Sequence, residues 1–206
     1  MLSRRSLPTV LVLSLVMGAL VSCGTDFAGA PAPPVATAAN LDVDFDGSFL
    51  AGTARDNGAS PGTGDFAPPG RRAEPIARRW VQIGVDAANP VNGALTNAAG
   101  LTLYRFDLDT PFTGTSACDA RCAREWRPVA VEPDGTVFLS GVPEDSIGHF
   151  TREDGLIQLT VEGRPLYLYS GDSVAGDARG HGLDGVWFGV TPDGERADLR
   201  TRGVEQ

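Results

Sequence analysis

The side chains of this chain that could carry chemistry fall into four small sets, and each has a plainer account beside it. Cys118 and Cys122 stand four residues apart, a spacing that suits one helical turn with Cα atoms about 6 Å apart, inside the range a disulfide needs. A redox-active pair is the alternative, since a strained short loop is more reducible. Covalent haem is disfavoured because Ala123, not histidine, follows Cys122. Asp42, Asp44 and Asp46 alternate and are followed by Gly47, which matches the opening of a calcium loop. The twelfth position of such a loop is Thr53, which cannot supply the closing carboxylate, so an acidic patch explains the run better. His149 and His181 are the two histidines, far apart in sequence, and His181 lies in Gly180-His181-Gly182 near Asp177 and Asp184. A solvated loop residue is the plainer account of it than a copper or zinc ligand.

The fourth set is aromatic and acidic, and it repeats. Gly100 to Asp109 (GLTLYRFDLD) aligns with Gly163 to Asp172 (GRPLYLYSGD), so Gly, Leu, Tyr, an aromatic and Asp recur at equal spacing. Downstream, Gly114 corresponds to Gly176, Trp126 to Trp187, and Pro133-Asp134-Gly135 to Pro192-Asp193-Gly194. Tyr104 and Phe106, like Tyr167 and Tyr169, are two apart and so share one face of a strand, while Leu103 and Leu166 take the other. Such rings could relay charge, although alternating aromatics are more often core. Asp109 and Asp172 sit just past their strands, where a carboxylate can accept N–H bonds from the loop that follows. Two equivalent caps of this kind account for the carboxylates without a glycosidase pair. With no nucleophile elbow and no phosphate-binding glycine loop either, the expectation is that the chain is not an enzyme.

Around these residues the expected elements are strands. Leu159–Val161 and Pro165–Tyr169 flank a turn at Glu162-Gly163, a hairpin pattern, and the first copy has the same form. Apolar side chains on both faces predict central, buried strands, with Trp126 and Trp187 each packing on its own unit. The fold class is therefore mainly β: two hairpin-based repeats with pseudo-two-fold similarity in one small domain. Minor short helices fall near Cys118 to Trp126, and a Gly-rich loop runs from Gly171 to Gly185.

These residues resemble a family of bacterial secreted proteins and lipoproteins defined by a repeated Tyr-x-(Phe/Trp/Tyr)-x-x-Asp motif, a secreted repeat of unknown function. The first copy matches through Leu103-Tyr104 to Asp109, then Cys118, Cys122 and Trp126-Arg127-Pro128. The second matches through Pro165-Leu166-Tyr167, Gly176-Asp177 and Trp187. Arg127 departs from the pattern, which usually has Pro there, as does His181, where Gln is common. The resemblance implies a fold and an extracytoplasmic location, and no settled activity.

The N-terminus bears on location as well. Arg4 and Arg5 precede a charge-free run from Leu7 to Leu20, of signal-peptide length and too short to span a bilayer unaided. It ends in Leu20-Val21-Ser22-Cys23-Gly24, which resembles a bacterial lipobox with Cys23 as the lipidated residue. Ser3 to Leu7 also faintly resembles a twin-arginine export signal. The expected organisation is a signal peptide over 1–23 and an Ala/Pro/Gly/acidic tether over 24–78. The two-repeat domain follows over 79–196, with a tail over 197–206. The expected setting is the extracytoplasmic face of the cell membrane, or an outer membrane in a diderm.

Composition limits the partners. All 17 basic residues are arginine, against 26 acidic ones, for a net charge of −9. Without the first 23 residues, 15 arginines face the same 26 acids, or −11. No nucleic-acid footprint is compatible with that balance. The expectations are no cofactor, attachment to the membrane through the N-terminal lipid, and an unidentified envelope or extracellular partner. Extracytoplasmic electron transfer, as an accessory, is the alternative role.

Overall fold

The structure is a computed structural model and describes residues 44–60, Gly64 and 76–199. Cys23 and Asp42, and with them the expected signal peptide and anchor, lie outside those residues. Thirteen strands make up the described part: β1 (Ser48–Ala51), β2 (Arg78–Val85), β3 (Val91–Asn92), β4 (Leu95–Thr96), β5 (Leu103–Phe106), β6 (Trp126–Pro128), β7 (Ala130–Ser140), β8 (Ile147–Thr151), β9 (Ile157–Val161), β10 (Arg164–Pro165), β11 (Tyr167–Tyr169), β12 (Trp187–Gly189) and β13 (Asp198–Leu199). The helical content is three short 3-10 turns, two of which immediately precede Trp126 and Trp187. The fold is mainly β and contains the two repeats.

A seven-stranded sheet runs β10-β9-β7-β2-β4, with β1 added beside β7 and β8 beside β9. A four-stranded sheet has the order β12-β5-β11-β6, and β13 pairs with β3. The alternation of the sequence explains why the four-stranded sheet is covered on both faces. Leu103, Leu166, Leu168, Val129 and Val190 turn to one side and join Val81, Ile83, Val131, Val137, Ile157 and Leu159 of the larger sheet in one aliphatic core. Tyr104, Phe106, Trp126, Tyr167 and Trp187 turn to the other side and form a second, aromatic core together with Cys118. All four residues of β5 are buried, as a strand with cover on both faces requires.

The repeats do not form two side-by-side hairpin units. In the order β12-β5-β11-β6 the strands come alternately from the second copy and the first. The tryptophan strand of each copy therefore closes the other copy's hairpin. Val129 donates to the carbonyl of Leu166 at 2.9 Å, and its counterpart Val190 donates to that of Leu103 at 3.1 Å. Leu159 donates to Val129 O at 2.9 Å and Leu95 to Val190 O at 2.7 Å. Asp107 and Ser170 complete the exchange by donating to Val186 O and Glu125 O. The centre of this approximate two-fold lies between β5 and β11, where Tyr104 and Tyr167 are register partners.

The hairpin turns differ between copies. Glu162 and Gly163 both have positive φ, +46° and +70°, and alone connect the paired residues Val161 and Arg164. This is the mirror-image two-residue turn that matches strand twist. In the first copy the turn is longer: Thr96 bridges Thr102, and Asn97 Oδ1 accepts from the amides of Ala99 and Leu101.

Two strands fall in segments whose composition reads as tether and tail. Within 24–78, β1 runs parallel to β7 from Ser48↔Thr136 to Ala51↔Leu139, with Phe45 and Phe49 against the aliphatic core. Strand β2 starts at Arg78, one residue ahead of the domain boundary expected from sequence. Within 197–206, Ala197 is buried and β13 pairs with β3. Strands of two to four residues carry too few side chains for their periodicity to register against a Gly- and Pro-rich background.

Candidate functional site

The side chains singled out in the repeat motif converge in the aromatic core. Trp126 and Trp187 lie flat on each other, ring centroids 3.8 Å apart and planes 2° from parallel. Phe106 stacks on Trp187 at 4.1 Å, and Tyr169 lies against Trp126 at 4.5 Å with its plane tilted by 32°. The result is a four-ring column whose members alternate between copies. Tyr104 meets Trp126 edge-on at 5.4 Å and Tyr167 meets Trp187 edge-on at 5.2 Å. Each tryptophan thus packs on its own copy's tyrosine, as the sequence predicts, while it stacks on the other copy's rings. Edge-to-face and offset contacts of this kind place positive ring edges on negative faces, beyond the area they bury.

Each phenol ends on the opposite copy's carboxylate. Tyr104 donates to Asp172 Oδ2 at 2.6 Å, and Tyr167 donates to Asp109 Oδ2 at 2.6 Å. The second oxygens hold the loops: Asp109 Oδ1 accepts from Ala117 N at 2.7 Å and Asp172 Oδ1 from Arg179 N at 3.0 Å. The loop caps expected of these two aspartates are therefore present. The phenol oxygens also accept bonds. Gly180 N–H reaches Tyr104 at 3.2 Å, and Ser116, whose Oγ is 2.7 Å away, donates to Tyr167, since the Tyr167 proton is committed to Asp109.

Electrostatics follow from this enclosure. Burial, reinforced by the negative charge and hydrogen bond of the facing carboxylate, pushes both phenols far above the usual tyrosine range. Burial also raises the carboxyls of Asp109 and Asp172, opposed by the phenol and amide bonds they accept. The two pairs are buried, hydrogen-bonded and turned inward.

The loops that lid the cluster are built differently. Cys118 and Cys122 form a disulfide with Cα atoms 5.2 Å apart, and both pack against the rings. Asp119 Oδ1 accepts from the amides of Arg121 and Cys122, which shapes the turn between the cysteines. In the second copy no cysteine is available. Leu183 packs against the rings where Cys122 does, four residues before the tryptophan in each case, and Gly180 lies directly on Trp126 and Tyr104.

The remaining candidates stay apart. Asp44 is exposed and Asp46 uses its amide to reach Pro133 O. His181 Nδ1 accepts from Gly189 N at 3.2 Å, its ring stands edge-on to Phe188, and burial holds its pKa down. His149 packs on Phe45. Among the described residues no group of three His, Cys, Asp or Glu side chains could hold a metal ion.

The comparison with known families agrees with the duplication: residues 88–130 and 148–191 each match the model of a secreted repeat of unknown function. The chain carries two copies of this secreted repeat. Each matched segment ends just past its tryptophan, at Ala130 and Thr191, so the tandem supplies in one chain both halves of the strand exchange. No curated protein and no solved structure matches the chain.

What the sequence reading missed is the crossing. The Tyr–Asp pairs are 68 and 58 residues apart and link opposite copies. The available signal was the placement of Asp one strand beyond Tyr in both copies, which leaves the carboxylate at the far end of its neighbour's strand if the two run antiparallel. Arg152 was missed too: it donates to Gln158 Oε1, to Cys118 O and to Asp154, joining the disulfide loop to the second repeat.

Proposed function

We propose that the protein is lipid-anchored through Cys23 on the extracytoplasmic side of a membrane, and that its paired repeats form a non-catalytic module with a structural or binding role in the cell envelope. The reading is carried by the crossed Tyr104–Asp172 and Tyr167–Asp109 pairs. The polar groups most suited to chemistry are committed to one another inside the domain. A secreted repeat and a lipobox-like segment ending at Cys23 support the address. A lipid on Cys23 with a second acyl chain would supply the two hydrophobic anchors that stable attachment needs.

The test is expression of the full chain in a lipidating bacterial host with radiolabelled or clickable palmitate. Wild type is expected to take up label and sediment with membranes, whereas Cys23→Ser takes up none and is released. Equal labelling of both proteins would remove the anchor from the proposal.

A second reading, accessory to extracytoplasmic electron transfer, is favoured by one observation. The stacked Trp126–Trp187 pair is flanked by two tyrosines, each hydrogen-bonded to a carboxylate. Purified protein lacking residues 1–23 decides between them through its absorption spectrum, bound metals and thiol titre. A visible band, or a disulfide opened by mild reductant, would favour the redox role. A colourless protein with an inert disulfide would leave the structural one.

A further inference from the structure

Three arginines among the described residues are more than nine-tenths buried: Arg105 (6% exposed), Arg127 (7%) and Arg152 (9%). Two of them are fully provided for. Arg105 binds Asp107 through Nε at 2.8 Å and the carbonyl of Gly194 through Nη1 at 2.7 Å, with Glu195 nearby. Arg152 engages Asp154, Gln158 and the carbonyl of Cys118.

Arg127 is not. Its Nε is buried with no hydrogen-bond partner, and its guanidinium makes no ion pair among the described residues. Its neighbour across the strand pair is Leu168, on the face turned away from the aromatic column. The charge that reaches it is of its own sign: burial, and then the positive charge of Arg78, hold its pKa below the usual arginine range. Arg78 opens β2 and pairs with Val131, four residues beyond Arg127 on the run that β6 and β7 form, and it too has no ion pair among the described residues.

A buried guanidinium without a counter-charge is among the costliest arrangements a fold can hold, and one beside a second arginine is costlier still. Among the described residues, strand β6 is the terminal strand of its sheet, with a strand partner on one side only. A chain of net charge −9 does not gather anions through its overall field, so an anion drawn here would answer to these two arginines.

We propose that Arg127 and Arg78 form a binding site for a doubly charged oxyanion, with phosphate as the matching chemistry. The guanidinium fork offers paired N–H donors to two oxygens of one tetrahedral group, and two arginines balance its two charges. The inference goes beyond the anchored structural module and does not depend on it.

The experiment is calorimetric titration of the domain lacking residues 1–23 with inorganic phosphate, checked by a saturable rise in unfolding temperature. Sodium chloride at equal ionic strength controls for screening, and Arg127→Gln at the same phosphate concentration controls for the general stabilisation that phosphate gives by exclusion from protein surfaces. Wild type is expected to bind one phosphate. Arg78→Gln should weaken binding about tenfold and Arg127→Gln more, as the loss of charge-assisted bonds implies. Vesicles containing phosphatidic acid provide a second arm. Preference for them over free phosphate places the group on a lipid, and preference for free phosphate makes the ligand soluble. Arg127→Met keeps the inference falsifiable should the glutamine variants misfold. Without phosphate it should be at least as stable as wild type, since it removes an uncompensated charge. A large loss of stability would mean that the guanidinium already has an internal partner. That result, or equal responses of wild type and Arg127→Gln to phosphate, overturns the site.

Discussion

The hydroxyl of Tyr104 donates to Asp172 at 2.6 Å across the boundary between the repeats, and Tyr167 returns the same bond to Asp109. A hydrogen bond to a charged partner contributes about 1.5–3 kcal/mol, and its loss leaves a buried carboxylate short of a donor. Tyr104→Phe and Tyr167→Phe should each lower stability in urea by about 2 kcal/mol. A double-mutant cycle of Tyr104→Phe with Asp172→Ala should show strong coupling, because each variant removes the same bond. Additive losses would mean that the bond contributes little.

The reciprocity of these pairs marks the line between what sequence makes legible and what it does not. The duplication, the buried strands and the loop-capping role of Asp109 and Asp172 follow from side-chain types and local spacing. The hairpin turn at Glu162-Gly163 is legible through Gly163 between two short strand patterns, although Glu162 is not a residue that a positive-φ turn position favours. Which copy's strand lies beside which is a different kind of fact. Leu103 and Leu166, or Trp126 and Trp187, are near-equivalent in chemistry, so side-by-side and interleaved arrangements bury the same groups. Only the three-dimensional path of the chain separates them. Strand β1 escaped for another reason: Phe49 and Leu50 are its only large apolar residues, inside an Ala-, Gly- and Pro-rich segment.

The carboxyls of the crossed pairs should titrate abnormally. Burial raises Asp109 and Asp172 above the usual aspartate value, so the folded protein holds these protons to higher pH than the unfolded chain does. The stability they confer is then full below about pH 4 and declines as pH rises through the raised folded values. Side-chain carboxyl carbon NMR should place both midpoints above that of an exposed aspartate. The stability difference between wild type and Asp172→Asn should shrink from pH 4 towards neutrality. Midpoints at or below the ordinary value would contradict the desolvation that the structure shows.

The disulfide should matter moderately. Cys118 and Cys122 close a very short loop, with a sequence separation of four, for which chain entropy gives about 2 kcal/mol. The loop has other holds: Ala117 N on Asp109, Arg152 on Cys118 O, and Asp119 on two amides. Reduction, or the double change Cys118→Ala and Cys122→Ala, should therefore lower the unfolding free energy by about that amount without unfolding the domain. Far-ultraviolet circular dichroism should be unchanged at room temperature. Collapse of the fold on reduction would show that the bond holds more than its own turn.

The sharpest structural prediction concerns Gly180, the second copy's answer to the disulfide. A Cβ there would lie 2.7 Å from Trp126 Cη2, 2.9 Å from its Cζ3 and 2.9 Å from Tyr104 Cε1. These atoms belong to a ring of the column and to a tyrosine packed edge-on against it, so neither can yield without breaking the Trp126–Trp187 stack or the Tyr104–Asp172 bond. The same residue donates its amide to the Tyr104 oxygen, so a shift of the loop also costs that bond. Gly180→Ala should destabilise the domain by about 1–3 kcal/mol, the usual range for overpacking. It should also weaken the far-ultraviolet exciton couplet expected of the stacked indole pair, whose centroids are 3.8 Å apart. Gly182→Ala, two residues on, is the control. It has no atom near its Cβ position, so its cost comes from a φ of +82° alone and the couplet should survive. Loss of the couplet in both variants would show that the loop as a whole, rather than contact at Gly180, sets the indole stack.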